Sequence, residues 1–388
     1  MRLKKDGRKN IRETLEQKIS VVSDLAYLIR YRKMADRISY GAVTFSEIFA
    51  KLRKMMACPG LTKLETRRVR AFYAPYKVST LTHRQVKAAT GNFHPAYIPS
   101  EMYFAYIDPY LNSREKATGL ESKCMFGRLF PGIPQPGVLA YRVNGYWSTS
   151  DYRPVTFDEV IALANAEEAV FVKQSDDSFG GHGVIRVTHT ANAALGEALA
   201  RAAEELKGDL VLQLPIHQHA DLARFNPSSV NTYRIATLLT PEGQVYVCRA
   251  MLRTGVGNVP VDNFTSGGVA IGINHRGCLR KYGYSGNGTI TEAHPLTGIR
   301  YEGYVLPSFK RAVALAKKAH PMLPSFRLIS WDFAVEENEQ PVLVEANLTA
   351  GGIEALQDCN GPFFRKMTRK VVQEALKDTD FPRIRRQK

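Results

Sequence analysis

The chain has no run of eighteen apolar residues, so no stretch of it is suited to cross a bilayer as a helix. It has few cysteines, and Cys58, Cys124, Cys248, Cys278 and Cys359 are scattered singly, without disulfide or metal-ligand spacing. That points to a reducing compartment, most simply the cytoplasm. The opening Met1–Lys9 carries charge with no apolar segment behind it, unlike a secretory signal. No Gly-Lys-Ser/Thr loop, dinucleotide fingerprint or Gly-x-Ser-x-Gly elbow is present, which removes P-loop, Rossmann-type and serine-hydrolase readings. There is no internal repeat and no low-complexity linker.

Acidic residues are outnumbered, 37 Asp and Glu against 53 Lys and Arg, giving a net charge of +16. Residues 1–70 carry 18 Lys and Arg against 7 Asp and Glu, residues 361–388 carry 9 against 3, and the body between is balanced at 26 against 27. The surplus therefore belongs to the two ends. A solvated basic surface accounts for it, and so does contact with an anionic membrane or an acidic glycan. No zinc finger, RNA-recognition signature or aromatic–basic interleaving is present, so no nucleic-acid partner is expected.

With 388 residues, 44% of them hydrophobic, the chain is long enough for two or three well-packed domains. Ile11, Leu15, Ile19, Val22, Leu25 and Leu28 form one helical face; with Thr44–Met56 and Thr62–Phe72 they make residues 1–94 a basic helical module. Residues 95–150 read as a linking segment. From there, β-branched runs alternate with helical stretches: strands at Ala169–Val172, Val184–Val187, Leu210–Leu212, Tyr233–Leu239, Val245–Leu252 and Val269–Ile273. Helices are expected at Phe157–Glu167, Ala191–Leu206 and Ser308–Ala319. Residues 151–215 then form one α+β subdomain, 216–375 a second, and 376–388 a basic tail.

The densest signal is Trp331–Val335 followed by Leu343–Asn347, two buried strands joined by the polar turn Glu336–Gln340. Glu345 and Asn347 are two apart and share a face, with Asp332 on the partner strand. Two carboxylates and an amide oxygen are hard ligands suited to Mg²⁺, or to Mn²⁺ in the same site. The same three residues would also serve as the wet face of an ordinary hairpin. A second feature is the Gly-rich stretch Phe171–Val184, which runs strand, loop, strand; its glycines allow backbone N–H groups close to phosphate oxygens, and Lys173 stands at its entrance. By itself it also fits a simple hairpin turn.

The order of parts decides between these readings. Glu121–Phe126, with Lys123 at the head of a helix, precedes Gly132–Pro136; then come the strand lysine and Gly loop, Leu210–Gln213, and the Asp…Glu-x-Asn pair. This succession resembles the ATP-grasp superfamily. A further block, Asn226-Pro-Ser-Ser-Val-Asn231-Thr-Tyr-Arg234 leading through Ala250–Gly255 to Val261–Ala270, is similar to the sugar-transfer-associated ATP-grasp group, related to glutamate-ligase-type enzymes and linked to surface polysaccharides. The resemblance implies an α+β ATP-grasp fold, two subdomains closing on ATP, preceded by the basic helical module. It implies that Lys123 and Lys173 touch nucleotide phosphates, and that Ser178, Gly180, Gly181 and Gly183 belong to a lid. It also implies that Gln213, Leu214 and Ile216 meet the adenine edge, that Asp221 reaches the ribose, and that Asp332, Glu345 and Asn347 hold Mg²⁺.

Arg234 and Arg253 then fall on the γ-phosphate and the acyl phosphate made from it, with Asn263 beside them. One departure stands out: many relatives carry Arg two residues before the metal Asp, where this chain has Ser330, so Arg327 or Arg253 must substitute. His182 reads as a solvent-facing turn residue, His217 and His219 as an unlikely metal pair, and neither Ser228 nor Ser229 as a nucleophile. The function implied is an ATP- and Mg²⁺-dependent carboxylate–amine ligase acting on small substrates, with the family's setting pointing to sugar-linked ones. A sugar kinase on the same scaffold and a non-catalytic nucleotide- or glycan-binding protein are the rivals. The oligomeric state is not legible.

Overall fold

The computed structural model describes residues 55–175, 183–188, 195–257, 267–349 and 351–384. The stripe Ile11–Leu28, nearly all of Thr44–Met56, and Ser178, Gly180, Gly181, His182 and Asn263 lie outside the described residues. The chain divides into two compact units, Met1–Leu111 with Gly361–Lys388, and Asn112–Asn360.

In the first unit, α1 (Lys63–Tyr73) starts at a capping box: the Thr62 hydroxyl accepts from Glu65 N–H and the Glu65 carboxylate accepts from Thr62 N–H. Glu65 also pairs with Lys87 of α2 (Leu81–Thr90) at 2.7 Å. The C-terminal residues return to this unit, with Tyr76 bridged to Arg383 and the Phe381 ring edge-on to Tyr76 and Tyr106. Tyr103–Ile107 is a single π-helical turn, with Asp108 N–H bonded to Tyr103 O. Its cause is Pro109, which has no N–H to close the α-helical bond to Ala105.

The second unit holds two antiparallel sheets. Strands β1 (Val138–Val143), β2 (Tyr146–Thr149), β3 (Ala169–Gln174), β4 (Val184–Thr188) and β5 (Leu210–Gln213) form the first, in the order β2-β1-β5-β3-β4. Helices α3 (Phe157–Ala164) and α4 (Leu195–Leu206) pack on it through Val160, Ala164, Val170, Val172, Leu199 and Leu212. Strands β6 (Thr232–Leu239), β7 (Val245–Thr254), β8 (Val269–Ile273), β9 (Leu279–Ser285), β10 (Ile290–Thr291), β11 (Leu328–Val335) and β12 (Pro341–Asn347) form the second, in the order β10-β9-β8-β7-β6-β11-β12. The sequence-expected strands and the three helices are all present, extended or trimmed by a few residues.

All eight residues of β11 are buried, because the second sheet is covered on both faces. Helix α5 (Phe309–Ala319) lies on one, against a core that includes Ile235, Leu252, Ile271, Trp331 and Phe333. Behind the metal-candidate strand, Trp331 Nε1 donates to Thr237 Oγ1 at 2.8 Å, and that hydroxyl lies 2.6 Å from His320 Nδ1. On the other face α6 (Glu354–Asn360) sits over β7 and β8: Cys359 Sγ donates to Ala270 O and Asn360 Nδ2 to Ala250 O. The approach is so close that a Cβ on Gly272 would stand 2.6 Å from the Cys359 carbonyl. Gly272→Ala is therefore expected to displace α6 and cost about 1–3 kcal/mol, read as a lowered denaturation midpoint.

Candidate active site

The register of the second sheet decides which side chains meet. Asp332 stands opposite Glu345 on one side and Arg234 on the other, Ser330 opposite Asn347, and Arg253 opposite Thr232. Directly paired residues, and those two along a strand, share a face. Arg253, Arg234, Asp332, Glu345 and Asn347 therefore project from one side of four consecutive strands. A bulge between Asp332 and Phe333 leaves Val344 as the extra residue on β12. It lets Leu343 and Ala346, three apart, both reach the core while Glu345 and Asn347 keep the polar face.

Asp332 is 2% exposed and fully engaged. Arg234 grips it with two bonds, Nε to Oδ1 at 2.8 Å and Nη2 to Oδ2 at 2.6 Å, and Arg253 Nη1 adds a third at 3.0 Å. Burial alone would raise its pKa; the two guanidiniums overcome that and hold it below the ordinary carboxylate value. Asn347 Nδ2 donates to Ser330 O at 3.3 Å, which turns its Oδ1 the other way.

The two lysines come from the first sheet's side. Lys123 Nζ is 3.8 Å from Glu345 Oε1. Lys173, at the end of β3, is brought down to about 8, first by burial and then by the charge of Lys123, with Glu345 working against both. Both lysines thus face the hairpin that bears Asp332, Glu345 and Asn347, as the order of motifs implies. Gly183 has φ of 73° and its carbonyl accepts from Gln174 N–H at 2.8 Å, which pins the loop's far end to β3.

Gln213 is buried at the end of β5, paired with Val138 and Phe171. Leu214 N–H is taken by Gly137 O at 2.8 Å, so it is not available as a donor at this edge. The segment then runs beside the end of β11, with His219 N–H on Val335 O and Glu337 N–H on His217 O. Asp221 stands apart, on a four-residue helical turn, 4.0 Å from Arg224. The motif residues Asn226, Ser229 and Asn231 bond one another and Gln218, tying this segment to the start of β6.

Ser330 is buried against the loop after β12: a Cβ on Gly351 would lie 3.1 Å from its Oγ. Arg327 cannot substitute: it donates to Leu239 O, some ~16 Å along the strand from Asp332. Arg253 is already at the carboxylate.

The donor set suits a hard divalent cation. Among the described residues no three His, Cys, Asp or Glu side chains converge on a metal; the oxygen donors on this face are Asp332, Glu345 and the Asn347 amide. Among the described residues no helix is long and apolar enough to cross a membrane.

Residues 103–373 match the sugar-transfer associated ATP-grasp family. The chain belongs to that family. No curated protein matches the chain. Among solved structures, it is similar to an L-amino acid ligase from Bacillus licheniformis at 16% identity, over 67% of this chain and 48% of that one, with a TM-score of 0.37. A D-alanyl-alanine synthetase A from Vibrio cholerae gives 14%, 66%, 64% and 0.38, and a biotin carboxylase from Campylobacter jejuni 14%, 67%, 47% and 0.42 in the same order. The chain thus spans roughly half to two thirds of the length of these relatives. In this ATP-grasp chain, sequence order located both lysines and the hairpin. It gave no role to Glu121, Ser122 or Ser175, which prove to join them.

Proposed function

We propose that the protein is an ATP- and Mg²⁺-dependent carboxylate–amine ligase acting on a sugar-linked substrate. One observation carries the reading: Lys173 at the end of β3 and Lys123 on the turn bonded to Ser175 face a hairpin of oxygen ligands on the other sheet, with two arginines on that hairpin's face. In the mechanism that fits, Lys123 and Lys173 neutralise the nucleotide phosphates, and the Leu214–Ile216 backbone holds the adenine. A cation held by Glu345, Asn347 and Asp332 would supply charge neutralisation at the β- and γ-phosphates. The substrate carboxylate attacks the γ-phosphorus, the bond to the bridging oxygen breaks, and ADP leaves with that electron pair. Arg253 and Arg234 steady the resulting acyl phosphate, with Asn263 as a further candidate. The amine then attacks the acyl carbon, phosphate departs, and the amine's surplus proton goes to solvent. Positioning and charge supply the rate, so no covalent enzyme nucleophile is needed. The family's description favours a glycan-linked acceptor, and the basic flanks suit an acidic sugar or an anionic membrane surface.

The test is an ADP-release screen pairing amino acids with uronic acids and their nucleotide sugars, with mass spectrometry of the product. The expected result is an amide together with ADP and free phosphate. A phosphorylated sugar without free phosphate would instead establish a kinase.

Lys173 sets the pH dependence. Its pKa of about 8 in the free protein rises once phosphates stand beside it, so binding takes up a proton near that pH. ATP affinity is expected to weaken as pH climbs past about 8. In Lys173→Met the affinity should be lower and that pH dependence absent, which calorimetry in buffers of different ionisation heat would measure.

A further inference from the structure

The segment 121–124 is bonded to both halves of the site. On the side of the first sheet, Ser122 Oγ lies 2.7 Å from Ser175 Oγ, Lys123 N–H donates to Ser175 O at 3.4 Å, and Cys124 N–H donates to Ser175 Oγ at 3.2 Å. Ser175 follows β3, two residues beyond Lys173. On the side of the second sheet, Glu121 Oε1 accepts the backbone N–H groups of Leu348 at 2.9 Å and Thr349 at 3.0 Å, with the Thr349 hydroxyl at 3.4 Å. Those two residues directly follow Asn347. Three bonds therefore converge on one oxygen of one carboxylate, and they join the turn bearing Lys123 to the end of the strand bearing Glu345 and Asn347.

We propose that Glu121 is a positioning residue that fixes the spacing between the paired lysines and the oxygen-ligand hairpin. The inference rests on the nucleotide reading above and goes beyond it, because Glu121 need touch neither nucleotide nor cation. Glu121 carries the hydrogen bonds that span the gap from the Lys123 turn to the end of β12, alongside the longer Lys123–Glu345 ion pair. Lys123 stands 3.8 Å from Glu345, a separation that a loose turn would not maintain. A carboxylate bonded to N–H groups of a strand end and a hydroxyl is a strong, directional tie.

The role makes specific demands. The bonds need an acceptor oxygen at one position and not a charge, so Glu121→Gln, whose amide oxygen still accepts from Leu348 and Thr349, should recover most of what Glu121→Ala loses. Glu121→Asp keeps the charge but is one methylene too short, and should resemble Glu121→Ala. The readout is the affinity of a non-hydrolysable ATP analogue with Mg²⁺, by calorimetry, beside the melting temperature without nucleotide. The expected result is a loss on the order of 10-fold in analogue affinity for Ala and Asp, near recovery for Gln, and a higher KM for ATP with a smaller change in kcat. Wild-type affinity in both Ala and Asp variants would overturn the inference and leave the nucleotide reading standing. Asp retaining affinity while Gln loses it would also overturn it, by showing that charge and not the tie is what counts. If the wild-type chain does not bind the analogue at all, the nucleotide reading itself falls.

Discussion

Asp332→Asn is expected to reduce ATP-dependent turnover by roughly 10²–10³-fold while leaving a folded protein. The expectation follows from the position of this carboxylate, which is 2% exposed and bonded by both Arg234 and Arg253 at 2.6–3.0 Å. In the reaction proposed, the same side chain faces the cation and orients the two cations meant for the transferring phosphoryl group, so removing its charge disturbs both. Asparagine keeps an oxygen able to accept from Arg234. Alanine does not, and it removes every acceptor that Asp332 offers two inward-facing guanidiniums, a defect worth about 3–5 kcal/mol. Asn therefore serves for kinetics and Ala for stability. The Ala variant should be stabilised by inorganic phosphate or ADP, without added metal, more than the wild type is, because the anion then stands in for the carboxylate lost beside the two arginines. Thermal shift measures this directly. Full turnover in Asp332→Asn would remove Asp332 from the reaction.

That carboxylate marks where sequence reading stops. The hairpin of β11 and β12 is legible because two apolar runs flank a polar turn, and period-two alternation puts Glu345 and Asn347 together. Lys123 and Lys173 are legible from the order of motifs. The grip of Arg234 and Arg253 on Asp332 is not, since the partners are 98 and 79 residues away in sequence and meet only through the register of β7, β6 and β11. The bulge at Val344 is equally silent, although it alone allows Leu343 and Ala346 to share the core. The β1–β2 hairpin carries its own signal: Asn144-Gly145, with φ of 50° and 79°, is the pair a type I′ turn demands, yet no strand is expected there from apolar runs alone. Glu121 is invisible for another reason. A carboxylate that works by bonding backbone N–H groups leaves no partner residue type to recognise, because any residue at 348 or 349 except proline offers the same donor.

The two units should respond separately to acid, the first through buried His83 and the second through buried His320 together with His294, whose pKa burial also lowers. His83 in α2 is fully buried beside the rings of Tyr73 and Tyr97, with Nε2 3.1 Å from Pro95 O and no partner at Nδ1. His320 lies between Thr237 Oγ1 at Nδ1 and Phe326 O at Nε2, 2.9 Å away. Nε2 is the donor to that carbonyl, so Nδ1 accepts from Thr237, whose own oxygen is held by Trp331. Burial brings His83 and His320 from 6.5 to about 4. Because the folded pKa is the lower one, the unfolded chain gains protons first as pH falls. Stability is thus complete above about 6.5 and is lost progressively between there and 4, by about 3 kcal/mol for each histidine at the lower limit. Urea titrations at pH 7 and pH 5 should show both units weakened. His83→Phe is expected to remove most of the pH dependence of the first unit alone, and His320→Gln, which preserves both a donor and an acceptor, to reduce that of the second, where His294 still contributes. If either variant keeps the full slope between pH 7 and 5, the histidine it replaces is not the group being titrated.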